Sequence, residues 1–104
     1  MPRGIMVVQT GPVSVEREGE YNDWYAGTHI PEILAVPGFV GARRYKLAGG
    51  DGTPSYLAIY EIDADDIFAP VKELGARSAA GQHGKSDVLR TDPAPVVTIY
   101  QSID

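Results

Sequence analysis

The chain has no cysteine. Disulfides, thiolate metal sites and a cysteine nucleophile are therefore excluded. Histidine is scarce too: only His29 and His83. Two histidines far apart among scattered carboxylates form no recognisable metal site. Positive charge is in the minority, nine Lys and Arg against fourteen Asp and Glu, for a net charge of −5. Such a chain repels phosphate backbones, so no nucleic-acid partner is expected. Long apolar runs are missing as well. The opening MPRGIMVVQTG holds none long enough for a signal peptide or a membrane span, so the expectation is a cytoplasmic protein with no membrane partner. The glycine-rich AGGDGTP stretch lacks phosphate-loop spacing and its lysine, and no G-x-S-x-G or Ser-His-Asp pattern occurs.

What remains is an ordinary globular composition, 43% hydrophobic and 22% charged, of a length that suits one domain over residues 1–104. Six of the nine aromatics are tyrosines, which offer apolar area and a hydroxyl together.

The apolar run GIMVVQT, residues 4–10, stopped by Gly11-Pro12, reads as a strand buried on both faces. Acidic residues from Glu16 to Glu20 suit the first turn of a helix that continues through Tyr21 to Val36. Pro31 interrupts it. Without an N–H it leaves the Gly27 carbonyl unpaired, so a kink or restart is expected there. After the Pro37-Gly38 turn, residues 39–47 read as a strand. Phe39, Gly41, Arg43, Tyr45 and Leu47 are assigned to one face and Val40, Ala42, Arg44 and Lys46 to the other. The glycine-rich turn suits a hairpin loop, and Tyr56 to Ile62 is the next strand. Asp63 is expected to cap a helix over 64–76, in which Pro70 is a candidate break. Residues 77–92 are polar and weakly periodic, a loop with room for a short helix. Residues 95–103 form the last strand.

The order β-α-β-β-α-β is the ferredoxin-like arrangement, an α+β fold with two helices on one face of a four-stranded antiparallel sheet. The strands are apolar on both faces, so a second copy of the chain is expected to cover the far one.

His29 and Tyr25 are four apart and share a side of the first helix. A neutral imidazole can take up a proton at physiological pH, which makes His29 the candidate general base or acid. The competing reading is a core histidine that bonds a carbonyl freed by Pro31. Tyr25 is the candidate hydrogen-bond donor to a substrate oxygen. Trp24 and Tyr21 are candidate pocket walls, though both are ordinary packing residues elsewhere. Arg43 and Arg44 point to opposite faces, and which one meets a ligand stays open. Tyr45, which shares a face with Arg43, and Tyr60 are further lining candidates. His83 lies in a loop able to close over a ligand.

The stretch YNDWYxxxHIPEILAVPGF, residues 21–39, within this element order resembles the dimeric α/β-barrel superfamily, most nearly its EthD-like branch. Small polyketide cyclases and antibiotic-biosynthesis monooxygenases are more distant relatives. The resemblance implies two sheets packed face to face across a homodimer, with a mostly apolar pocket between each sheet and its helices. It implies an active-site histidine on or near the first helix, matched here by His29, and members that often need neither metal nor organic cofactor. The expected function is a cofactor-independent enzyme acting on a hydrophobic carbonyl or phenolic molecule by histidine-mediated proton transfer, of the isomerase, cyclase or lyase type. The rivals are a non-catalytic protein that binds a small ligand and a cofactor-free monooxygenase.

Overall fold

The computed structural model describes residues 3–81 and 87–103. Four strands, β1 (Arg3–Thr10), β2 (Phe39–Lys46), β3 (Tyr56–Asp63) and β4 (Val96–Gln101), form one sheet in the order β2-β3-β1-β4. Every neighbouring pair is antiparallel. With the helices between β1 and β2 and between β3 and β4, this is the ferredoxin-like fold. Among the described residues no helix is long and apolar enough to cross a membrane.

The first helical segment has three parts. After a 3₁₀ turn at Val15–Arg17 come α1 (Glu18–Trp24), a π-helical turn (Tyr25–His29) and α2 (Ile30–Leu34). The Ile30 N–H reaches back five residues to the Tyr25 carbonyl. Pro31 explains the wide turn. Its ring would crowd the carbonyl four residues earlier and it has no N–H to offer, so opening the coil relieves both problems. The expected interruption at Pro31 is thus a widened turn just before it. The helix begins at Glu18, within the acidic stretch expected for its first turn, and ends at Leu34, short of Val36.

The second helix, α3 (Phe68–Ala79), differs from expectation more. Asp63 does not cap it. Asp63 ends β3 instead, donating its N–H to the Gly38 carbonyl at 2.9 Å. Asp66 takes up the Phe68 N–H through its side chain at 2.9 Å. The later start places Pro70 in the first turn, where helix N–H groups have no internal partner, so Pro70 breaks nothing. It is buried against Gly38, whose φ of +106° only glycine adopts readily; a Cβ there would stand 2.3 Å from the Pro70 ring.

Strand β2 corrects a second assignment. Its register shifts between Phe39 and Gly41. Phe39 pairs with Ile62 and Ala42 with Tyr60, so both face the helices, whereas Gly41, Arg43 and Tyr45 face away. A bulge inserts one residue, and strict alternation along the sequence cannot anticipate it. The glycine-rich loop closes the β2–β3 hairpin as expected, with Gly49, Gly50 and Gly52 all at positive φ.

The core lies between sheet and helices. Met6, Ala58, Tyr60, Ile62 and Phe39 meet Tyr21, Tyr25, Ile33 and Val36 there, all at most 5% exposed. The opposite face of the sheet carries Ile5, Val7, Leu57 and Ile59, half-buried, with Tyr45, Val96 and Tyr100 about half exposed. Strand β1 is thus covered on one face by its own chain, not on both.

Candidate functional site

The helices do not close completely over the sheet. Between them lies an open cleft of about 350 Å³. Met6, Val8, Thr10 and Val97 form its floor; Tyr25, His29 and Ile33 form one wall; Val71, Leu74, Gly75 and Ser78 of α3 form the other. Leu89 and Pro95 complete one end. Leu89 is held there because the segment after α3 docks on residues 11–13. The Val13 N–H donates to the Val88 carbonyl at 2.7 Å, and the Arg90 N–H to the Gly11 carbonyl at 2.9 Å. Arg17 pairs with Asp87 at 2.9 Å on the outside. A larger concavity of about 570 Å³ opens at the sheet end around Arg3, Val40, Glu61 and Tyr100. Tyr21, Tyr25, Tyr60 and His29 do not line it.

The cleft is apolar except at a few points, the usual character of a small-molecule site. The wide turn Tyr25–His29 presents one of these points. The His29 ring stacks on Trp24 at 4.6 Å and 19°, and meets Tyr25 edge-on at 4.8 Å. Beneath Tyr25, the Tyr60 hydroxyl donates to the Tyr25 hydroxyl at 3.3 Å. The Tyr25 proton is thereby left to point elsewhere. Burial raises the pKa of both phenols, and of Tyr60 far more, so both stay protonated. They act as hydrogen-bond donors, not as bases.

Arg44 underlies this arrangement. Its guanidinium sits over the Tyr25 ring at 4.3 Å, with the Tyr56 and Tyr21 rings at 5.0 and 5.4 Å. It donates to Asn22 Oδ1 at 3.0 Å, and Asn22 donates to the Tyr56 hydroxyl at 3.1 Å. The Tyr56 hydroxyl in turn donates to Glu18, which also pairs with Lys46 at 2.9 Å. The Tyr56 bond first, and Lys46 second, hold the Glu18 carboxyl below its ordinary pKa.

Of the residues singled out from sequence, the structure gathers Trp24, Tyr25, His29 and Tyr60, with Tyr21 behind them in the core. It separates Arg43 and Tyr45, which lie on the far face of the sheet. Between the two arginines, Arg44 is the one on the helix side. His83 lies outside the described residues. Sequence reasoning missed Thr10, Leu89 and the α3 wall. Thr10 was within reach, because β1 alternates and Thr10 shares a face with Met6 and Val8. The α3 wall depends on how that helix crosses the sheet, which no local pattern states.

Neither a protein-family model nor a curated protein matches the sequence. Solved structures do. MhuD from Mycobacterium tuberculosis, a heme-degrader, matches with TM-score 0.62 at 17% identity, covering 97% of this chain and 96% of that one. An ethyl tert-butyl ether d (EthD) family protein from Bacillus halodurans C-125 matches with TM-score 0.57 at 16% identity, covering 99% and 100%. A monooxygenase from the gene ActVA-Orf6 of Streptomyces coelicolor, in complex with nanaomycin D, matches with TM-score 0.51 at 18% identity, covering 97% and 88%. The chain shares the ferredoxin-like fold of these proteins. The match runs over nearly the whole chain in each case, so the EthD-like resemblance in residues 21–39 now sits within a full-length agreement of fold. Identities this low speak to fold alone.

Proposed function

We propose that the cleft binds a hydrophobic phenolic or carbonyl compound, and that His29 moves a proton to or from it. One observation carries this reading. The wide turn at Tyr25–His29 places an imidazole and a phenol side by side on the wall of an otherwise apolar cleft. Tyr25, already accepting from Tyr60, would donate its proton to the substrate oxygen. A positioned donor of this kind stabilises charge as it develops on that oxygen. His29 would exchange the proton on the neighbouring atom, with its ring fixed by Trp24. Each effect is worth a factor of roughly 10² to 10³ in rate, enough for an activated substrate.

Oxygenation is the second reading, favoured by the ActVA-Orf6 likeness. It shares the first step. His29 would deprotonate a phenol, and the electron-rich phenolate would then reduce O₂. Oxygen uptake in step with substrate loss separates it from isomerisation. A protein that only binds its ligand would show affinity with neither.

The far sheet face supports pairing with a second copy. Ile5, Val7, Leu57, Ile59, Val96 and Tyr100 place apolar side chains side by side across three strands of that face. In that arrangement each cleft stays on the outside, under its own helices.

The deciding experiment replaces His29 by Ala and by Gln and follows turnover beside ligand affinity. Loss of turnover by about 100-fold or more, with affinity within a few-fold, is expected. Undiminished turnover in both variants would remove His29 from the chemistry.

A further inference from the structure

The cleft has a second polar end that the proton-transfer reading does not use. At the end of β1, Thr10 is 5% exposed and its hydroxyl has no hydrogen-bond partner among the described residues. Tyr21 is fully buried, and its hydroxyl has Thr10 and Arg44 within hydrogen-bonding reach, though neither hydroxyl has a well-aligned bond. The two belong to one neighbourhood. Thr10 pairs across the sheet with Tyr56, and the Tyr56 ring lies 5.1 Å from the Tyr21 ring. Burial, above all, pushes the Tyr21 phenol up to about 12, so it too remains a donor. Orphaned buried hydroxyls cost stability, and native proteins keep few of them.

Positive charge stands around these hydroxyls without a carboxylate to balance it. Arg44 reaches ring faces, Asn22 and the Tyr21 hydroxyl, none of them a carboxylate, and its buried Nε has no well-aligned partner. Arg90 lies on the other side. Its guanidinium packs against Gly11, next in the chain to Thr10, at 3.1 Å from where a Cβ would be. Its Nε is likewise buried and unpartnered. Thr10 and Arg90 also line the adjoining concavity of about 340 Å³. In a chain of net charge −5, two arginines without an acid, beside hydroxyl donors that lack a well-aligned acceptor, have the chemistry to hold an anion.

We propose that the Thr10 end of the cleft recognises a carboxylate on the ligand, with Thr10 donating a hydrogen bond and Arg90 and Arg44 supplying the charge. This rests on the reading of the cleft as a ligand site, and it narrows the ligand class. The molecule is an apolar, flat acid whose carboxylate lies at the Thr10 end and whose phenol or carbonyl oxygen lies at Tyr25 and His29.

Two probes separate the ends, 2-naphthol and 6-hydroxy-2-naphthoate, with affinities measured by calorimetry on the intact protein. The acid is expected to bind about 10-fold tighter or more. Thr10→Val and Arg90→Gln should each lower the acid's affinity by about 10-fold and leave 2-naphthol unchanged. Added salt should weaken the acid alone. Thr10→Val also removes an orphaned hydroxyl, so its melting temperature should hold or rise. A structural role for Thr10, through a bridging water, predicts a lower melting temperature and equal loss for both probes. That result, or equal binding of the two probes by the unaltered protein, overturns the proposal while leaving the cleft as a ligand site. Failure of both probes to bind overturns the ligand site as well.

Discussion

The two faces of this sheet are built from the same strands and both carry apolar side chains, yet they meet opposite fates. On the helix side, Tyr60, Ile62 and Ala58 are at most 2% exposed. On the far side, Tyr45, Val96 and Tyr100 stand at 49 to 57%. The covered face carries Thr10, Tyr60 and Arg44, which meet Tyr21 and Tyr25 of the helix above them. The uncovered face carries Gln9, Arg43, Glu61 and Thr98, all exposed, among its apolar residues. Apolar content alone therefore does not tell a core from an interface. The faces differ in how their polar groups are held: against neighbouring side chains on the covered face, in solvent on the other.

Substitutions can test that contrast, beginning with the largest effect. Tyr60→Ala, on the covered face, should cost about 3 to 5 kcal/mol by opening a cavity beneath Tyr25. Urea unfolding measures it, and the loss should be the same at any protein concentration. Ile59→Lys, one residue away on the far face, should leave the single chain folded but weaken pairing by at least about 100-fold. Sedimentation at micromolar concentration would then give the mass of one chain where the unaltered protein gives two. If the unaltered protein is itself monomeric, the contrast between the faces collapses.

Tyr60→Phe is subtler. It keeps the packing and removes the donor to Tyr25, so about 0.5 to 1.5 kcal/mol of stability should go. Turnover should fall by about 10-fold because the Tyr25 hydroxyl is no longer oriented.

The smallest effect concerns the exposed end of the Arg44 network. Glu18 has a depressed pKa, so it contributes stability above the ordinary carboxylate value, and that contribution is lost as pH falls through its folded value. Tyr56→Phe removes the largest cause of the depression. The acid-side decline in the urea midpoint should become shallower, by an amount that solvent screening keeps small.

The element order and the sheet were legible because strands of alternating or wholly apolar residues and glycine-rich turns carry their signal locally. Tyr25 and His29 were legible for the same reason, since helical spacing placed them together. The faces of β2 were not, because a one-residue bulge near Phe39 leaves no mark in the pattern. The start of α3 was missed because Asp63 and Asp66 are both competent caps, and the Asp63–Gly38 pairing across the sheet decided between them. Arg44 could not be chosen over Arg43 from sequence, since the choice turns on that same bulge.

The wide turn before Pro31 does one more thing, best stated as phase. Tyr21, Tyr25, His29 and Ile33 recur every four residues. On a regular α-helix each such step overshoots a full turn by about 40°, so the row would wind away from the sheet by about 120° over three steps. Tyr21 and Ile33 are nevertheless both buried, at 0 and 2% exposure. A turn that takes an extra residue to come round subtracts from the drift and brings the row back into line. Closing that turn into regular α-helix at full length would therefore rotate Ile33 and Val36 away from the core, whereas deleting one residue from Tyr25–His29 would keep them in phase. The turn sets the angular register of everything that follows it.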